Sequence, residues 1–429
     1  MATATWPLGG RTLEQWVPTV TGFVLRASAG ARRPPWRPRD GRARGPLSRL
    51  VVLALPEPWE QAPAWREGLE ALSERARPGR GTQHMRPRLA PTGIGAIGDA
   101  ATSTWTALVP VGGTGFALLG EAERAERIAA WSGVLAAMAR DTAGLHRLQW
   151  VSRCYPAWLG GSLPAGGTGP PGEHYGRLLE EASPNLWAHE VHVAVSVRSG
   201  GGVRRDWRGS ASLLREQLSV LDDRLRGAGL LPGPALSPRS VASYLRRSFE
   251  VTPSQLASQW PWPLGVEDGW SRLRTDASWH VTYWIAEWPR CEVGGGFLLP
   301  MLLEPGLRRV ISMTMAPVGA LTAVRRAQRE RTEGTADAQM RHRHGFAVTA
   351  RAAREQESRQ RQEAELAEGH AGYRYSGYVT VTEADRDELE RACGRLEQSA
   401  ALAQLELHRL YGAQEEGYCC TLPVGRGCR

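Results

Sequence analysis

The chain has 429 residues, 42% of them hydrophobic, with 17 tryptophans and a formal net charge of +9. That composition excludes a largely disordered protein and leaves room for two or three domains with cores of their own. There is no lysine, so all 53 Lys+Arg positions are arginine; a P-loop, which needs a lysine on the β- and γ-phosphates, is excluded.

Lysine-free, Ala/Gly/Arg-heavy usage fits a GC-rich genome, so the arginine excess alone does not argue for a nucleic-acid partner. Six scattered cysteines form no disulfide framework and point to a reducing cytoplasm. No stretch approaches the ~20 apolar residues of a spanning helix, and the start does not read as a signal peptide.

Residues 1–49 are a basic, Pro/Arg-rich segment. Within it, residues 26–49 hold eight arginines against one acid, Asp40. Such a run cannot bury a face; it reads as an exposed loop or, alternatively, as a basic arm against anionic lipid. Residues 50–160 are expected to form a first α+β domain. Here 50–55, 104–111 and 115–119 read as strands, the last two about Gly112 and Gly113. Residues 121–141 read as a helix with Ala125, Ile128, Val134, Leu135 and Met138 on one stripe. A strand at 145–151 follows, and then a linker at 161–185.

Residues 186–429 are expected to form a second α+β domain. Val191, Val193, Val195 and Val197 alternate as in a strand with one buried face. Residues 210–226 form a helix, 279–288 a central strand, 297–303 a short helix, and 309–315 and 375–382 strands. Residues 321–368 carry ten arginines and eight acids; too polar for a core, they are predicted to project as a long charged helix or helical hairpin. Residues 383–410 are predicted to be one helix, its stripe of Leu389, Cys393, Leu396, Ala400, Ala403, Leu407 and Leu410 filling the core or forming an oligomer seam. The fold class is α+β, with mixed sheets packed by helices.

Gly93, Gly95 and Gly98 satisfy G-x-G-x-x-G. The dinucleotide fingerprint requires a strand before it and a helix after it. Pro87 and Pro91 precede these glycines and the β-prone Ser103 and Thr104 follow, so they read as loop glycines. His342 and His344 do not share a helical face, and Cys419, Cys420 and Cys428 contain no C-x-x-C; no metal is expected. Glu287 and Glu292 flank the Trp288-Pro289-Arg290 corner and read as corner residues of a structural salt bridge rather than as an acid/base pair. No catalytic residue and no cofactor is assigned, so the expectation is a non-enzymatic, assembly-forming protein.

Three stretches carry a resemblance. They are Trp279-His280-Val281-Thr282-Tyr283-Trp284-Ile285-Ala286-Glu287-Trp288-Pro289-Arg290 with the following Gly296-Phe297-Leu298 and Pro300-Met301-Leu302; Tyr378-Val379-Thr380-Val381-Thr382; and the closing Gln414, Tyr418, Thr421, Leu422 and Pro423. Together they resemble an actinobacterial family of conjugative or integrative elements, itself similar to the N-terminal, non-ATPase domain of the conjugative ATPase of type IV secretion systems. In those ATPases a Q-x-x-x-[FY]-x-x-x-L-P phrase closes the domain before the motor. The resemblance implies a scaffold at the inner face of the cell membrane, held there by partners, with membrane subunits and a separately encoded P-loop ATPase among them. It also implies docking of that ATPase at Gln414, Tyr418, Thr421, Leu422 and Pro423. An accessory subunit of a type VII secretion complex is the rival reading. A nucleic-acid-binding protein of a mobile element is a third, although the basic run 26–49 has only Trp36 to stack on a base.

Overall fold

Alternating apolar side chains run through most of the strand-like segments, and the computed structural model joins them edge to edge. The structure describes residues 46–55, 93–113, 115–140, 144–157, 186–200, 207–250, 261–289, 291–319 and 372–427, with short pieces at 20–21, 24, 32–33 and 174. The strands are β1 (Arg32–Arg33), β2 (Leu50–Ala54), β3 (Gly95–Asp99), β4 (Thr104–Gly112), β5 (Leu145–Pro156), β6 (Trp187–Arg198) and β7 (Leu231–Pro232). They continue as β8 (Val266–Asp268), β9 (Leu273–Thr275), β10 (Ser278–Glu287), β11 (Arg309–Val318), β12 (Gly372–Glu383) and β13 (Glu406–Arg409). The α-helices are α1 (Glu121–Arg140), α2 (Trp207–Gly227), α3 (Pro238–Phe249), α4 (Leu299–Leu302), α5 (Arg386–Leu402) and α6 (Gln414–Thr421).

All thirteen strands belong to one sheet, in the order β1-β8-β9-β10-β12-β11-β5-β6-β4-β3-β2, with β13 on β10 and β7 on β4. The α+β class holds. The mixed sheet expected from the sequence does not: every described pairing is antiparallel. Segments 50–160 and 186–429 share this sheet, because β5 pairs with both β6 and β11.

Successive side chains of a strand point to opposite faces, so the sheet has two. On the first, α1 and α2 cover Trp105, Val109, Leu148, Val193 and Val195, with Met138, Leu214 and Leu221 at the contact. Further along the same face, α4 and α5 cover Val281, Tyr283, Ile311 and Val379, with Leu389, Leu396 and Met301 packed on them. On the second face α3 and α6 cover Ile97, Leu108 and Ala194, with Tyr244, Phe249, Tyr418 and Leu422 at the contact.

Three of the sequence readings are corrected by the structure. Residues 116–118 make a single 3-10 turn, not a strand, because Gly115 enters at φ 32° and turns the chain. Gly95 and Gly98 lie in β3, not a loop. A Cβ on Gly95 would sit 2.8 Å from the backbone of Pro238 at the start of α3, and one on Gly98 would sit 2.7 Å from the Trp105 ring, so these glycines serve close approach. The helix predicted over 383–410 is shorter. Asp385 caps α5 by accepting from Asp387 N and Glu388 N. At the other end Gln404 adopts φ 56°, while Gln404 N bonds Ala401 O and Leu405 N bonds Ala400 O, a Schellman turn. Leu407 therefore lies in β13 opposite Ile285. The charged stretch 321–368, His342, His344, Arg290, Cys428 and most of 1–49 and 161–185 lie outside the described residues.

Candidate functional site

The five residues singled out as a docking edge do come together, but facing inward. Gln414 is fully buried. Its Oε1 accepts from Thr282 N at 2.8 Å, and its Nε2 donates to Thr282 O at 3.3 Å and Leu410 O at 2.9 Å. The Tyr418 hydroxyl donates to Ser248 O at 2.6 Å, tying α6 to α3. Thr421 Oγ1 donates to Tyr418 O at 2.8 Å and lies 3.0 Å from Thr380 Oγ1. Leu422 and Pro423 are buried. Gln414, Tyr418, Thr421, Leu422 and Pro423 thus present little outward surface of their own.

Beyond α6 the chain crosses the second face of the sheet, where its backbone has no ladder partner. Buried main-chain groups must be paired, and strand side chains do the pairing. Gln149 Nε2 donates to Cys420 O at 3.0 Å and Leu422 O at 2.9 Å, and Gln149 Oε1 accepts from Gly425 N at 2.8 Å. Ser312 donates to Cys420 O, Arg147 to Gly425 O, Thr314 to Arg426 O and Tyr378 to Gly427 O. Arg426 closes the belt with two bonds of 2.7 and 2.8 Å to the Asp99 carboxylate, which is 1% exposed. Burial alone would push Asp99 up, but Arg426 with Ala101 N and Thr102 holds it below the usual carboxylate range.

A second polar cluster, missed in the sequence reading, lies where α3 crosses β5 and β6. Arg153 is opposite Glu190 in register, and Tyr155 and His192 follow at period two on the same face. From α3, Tyr244 and Arg247 reach down one helical turn apart. Arg153 lies 4.2 Å from the Tyr244 ring centre and 5.3 Å from that of Tyr155, and donates to Tyr244 O at 3.2 Å. The Tyr155 hydroxyl bonds Glu190 Oε1, and Arg247 Nη1 is 3.9 Å from the same oxygen. His192 meets Tyr244 edge-on at 4.8 Å. Arg308, just before β11, donates to Arg247 O at 2.7 Å and to Glu250 O, closing the end of α3.

Burial pushes the His192 imidazole down to about 4, so it is neutral. Burial opposes the Glu190 charge, but Arg153, Tyr155 and Arg247 outweigh it and hold the carboxyl below its ordinary value. Burial lowers Arg308 to about 10, which leaves it charged. On the opposite face Cys154 Sγ is 3.6 Å from His189 Nε2, but burial raises the thiol, so this pair does not supply a nucleophilic thiolate at neutral pH. Ser237 ahead of Pro238, with Ser237 Oγ accepting from Ser240 N, is a helix-start signal that would have located α3.

No family model matches the chain, and no curated protein matches it. Among the described residues no helix is long and apolar enough to cross a membrane, and no group of three or more His, Cys, Asp and Glu could hold a metal ion.

Proposed function

We propose that this chain is a non-enzymatic scaffold of a type IV secretion-like, conjugative machine. In this reading its partners hold it at the cytoplasmic face of the cell membrane, and it docks a separately encoded P-loop ATPase. The resemblance of the Trp279–Arg290, Tyr378–Thr382 and Gln414–Pro423 stretches supports the class. One observation of register supports the mode of action: Val318, the last residue of β11, pairs with Gly372, the first of β12. The residues between them, which include the charged stretch 321–368, thus leave and rejoin the sheet at one point. That geometry suits a projecting helical hairpin whose mixed charges meet a partner. With Gln414 through Pro423 sealed against the sheet, docking belongs to this arm.

Pairwise co-expression with the P-loop ATPase encoded beside this chain tests the reading. The full chain is expected to co-elute with the ATPase. A variant with residues 320–371 replaced by a short Asn-Gly turn is expected to keep its melting temperature, since Val318 and Gly372 already face each other, and to lose co-elution. Undiminished co-elution of that variant, or none for the full chain, rules the docking mode out.

A further inference from the structure

Buried polar side-chain atoms are normally hydrogen-bonded, and each one left alone costs about 1–3 kcal/mol. Eleven such atoms lack a partner among the described residues, and five sit together in the cluster between α3, β5, β6 and β11. They are Glu190 Oε2, His192 Nδ1, Tyr244 Oη, Arg247 Nε and Arg308 Nη1; a sixth, Arg246 Nε, is on the adjoining turn of α3. Set against a total stability of about 5–15 kcal/mol, that concentration calls for a group that satisfies them together.

The chemistry of the five atoms specifies the group. Arg247 Nε, Arg308 Nη1 and Tyr244 Oη are donors, and His192 Nδ1 donates in one tautomer. Arg153 and Arg247 face the single carboxylate of Glu190, and Arg308 lies close enough to Arg153 for the two charges to repel. The neighbouring Arg246 is already matched by Glu250 and by Asp276, the latter at 2.9 Å. Glu383 also attracts Arg308, but burial pushes its carboxyl up to about 7, which weakens its charge at neutrality. Donors supplied to one cluster by three elements suit a tetrahedral oxyanion. Glu190 Oε2, the one obligate acceptor, needs an O–H on that anion. A hydrogen phosphate has one; a sulfate does not.

We propose that this cluster binds a phosphate group, with Arg247, Arg308, Tyr244 and His192 donating to its oxygens and Glu190 accepting from its P–OH. Arg153, stacked between Tyr155 and Tyr244, supplies charge from below. Arg247 and Glu190, each with a side chain 27% exposed, form the rim. The site is independent of the secretion reading.

Calorimetric titration of the full chain tests it with inorganic phosphate, glycerol phosphate and sulfate at matched ionic strength. Saturable binding of phosphate without binding of sulfate is the expected result. Binding of phosphate alone identifies the free anion, and binding of glycerol phosphate as well identifies an ester. Arg247→Met should weaken phosphate roughly tenfold or more. Tyr244→Phe should weaken it several-fold with little change in the ligand-free melting temperature, because the ring that stacks on Arg153 is kept. Glu190→Gln, which adds a donor, should relax the discrimination against sulfate. No saturable binding, an equal response to phosphate and sulfate, or unchanged affinity in both Arg247→Met and Tyr244→Phe overturns the proposal.

Discussion

The two faces of the sheet are built from the same strands by different chemistry. On the first face Val, Leu, Ile and Trp side chains meet the apolar stripes of α1, α2 and α5. On the second, Gln149, Ser312 and Thr314 stand at the alternate positions and hold the main chain of residues 420–427, Thr380 joins the Thr282 and Thr421 hydroxyls, and the Thr282 main chain holds the Gln414 amide. The first face is held by volume, while the second adds to its apolar cluster under α3 and α6 a belt held by hydrogen-bond geometry. Volume tolerates conservative exchange, whereas directed bonds do not.

The largest effect that separates the faces is expected at Asp99. Asp99→Ala leaves the Arg426 guanidinium, whose side chain is 12% exposed, without its carboxylate, a loss of about 3–5 kcal/mol in chemical denaturation. On the apolar face Leu396, fully buried, should lose about 2–5 kcal/mol on truncation to Ala but under about 1.5 kcal/mol as Leu396→Met. A change in solution mass with unchanged stability for Leu396→Ala would mark the stripe as an oligomer seam and break the comparison. Gln149→Leu keeps size and loses direction: it strands Gly425 N, while Leu422 O keeps Val424 N, and should cost about 1–3 kcal/mol. A Gln149→Leu protein as stable as the parent would mean that the second face, too, is held by volume.

The smallest effect is a pH signature of the second face. Burial pushes His280 down to about 3 and His192 down to about 4. The unfolded chain, titrating near 6.5, therefore binds more protons below that value, and their contribution to stability is lost as pH falls from 6.5 toward 4. Glu415 behaves oppositely. Burial, with Asp268 beside it, pushes its carboxyl up from 4.5 to about 7, so its contribution is lost as pH rises through that window. Glu415→Gln should remove its share of the decline between pH 4.5 and 7, leave the share of Glu383, which is likewise pushed up to about 7, and keep the acid limb intact, as read from melting temperatures across pH.

Much of the frame was legible. The valines of β6 and the aromatics of β10 alternate on their own evidence of period, and the stripe of α2 needs only leucines at helical spacing. The end of α5 was not legible, because the left-handed turn that stops it is occupied by Gln404, where the sequence signal would have been glycine. The polar belt was hidden for a related reason: Ser, Thr and Gln at alternate strand positions look the same whether they face water or a crossing main chain. The Arg153 cluster shows the same limit. Spacing puts Arg153 with Tyr155 and Glu190 with His192, but only the β5–β6 register sets the pairs side by side.

By itself the sequence determined the quantities that are local along the chain: strand and helix periods, the missing lysine that excludes a P-loop, and the α+β alternation. The tertiary structure decided which polar residues are mortar and which are surface. That depends on contacts such as Leu47 N with Glu415 Oε1, 368 positions apart, and Asp99 with Arg426, 327 apart. No window along the chain contains both partners of such a bond, so their chemistry becomes readable only when folding brings them together.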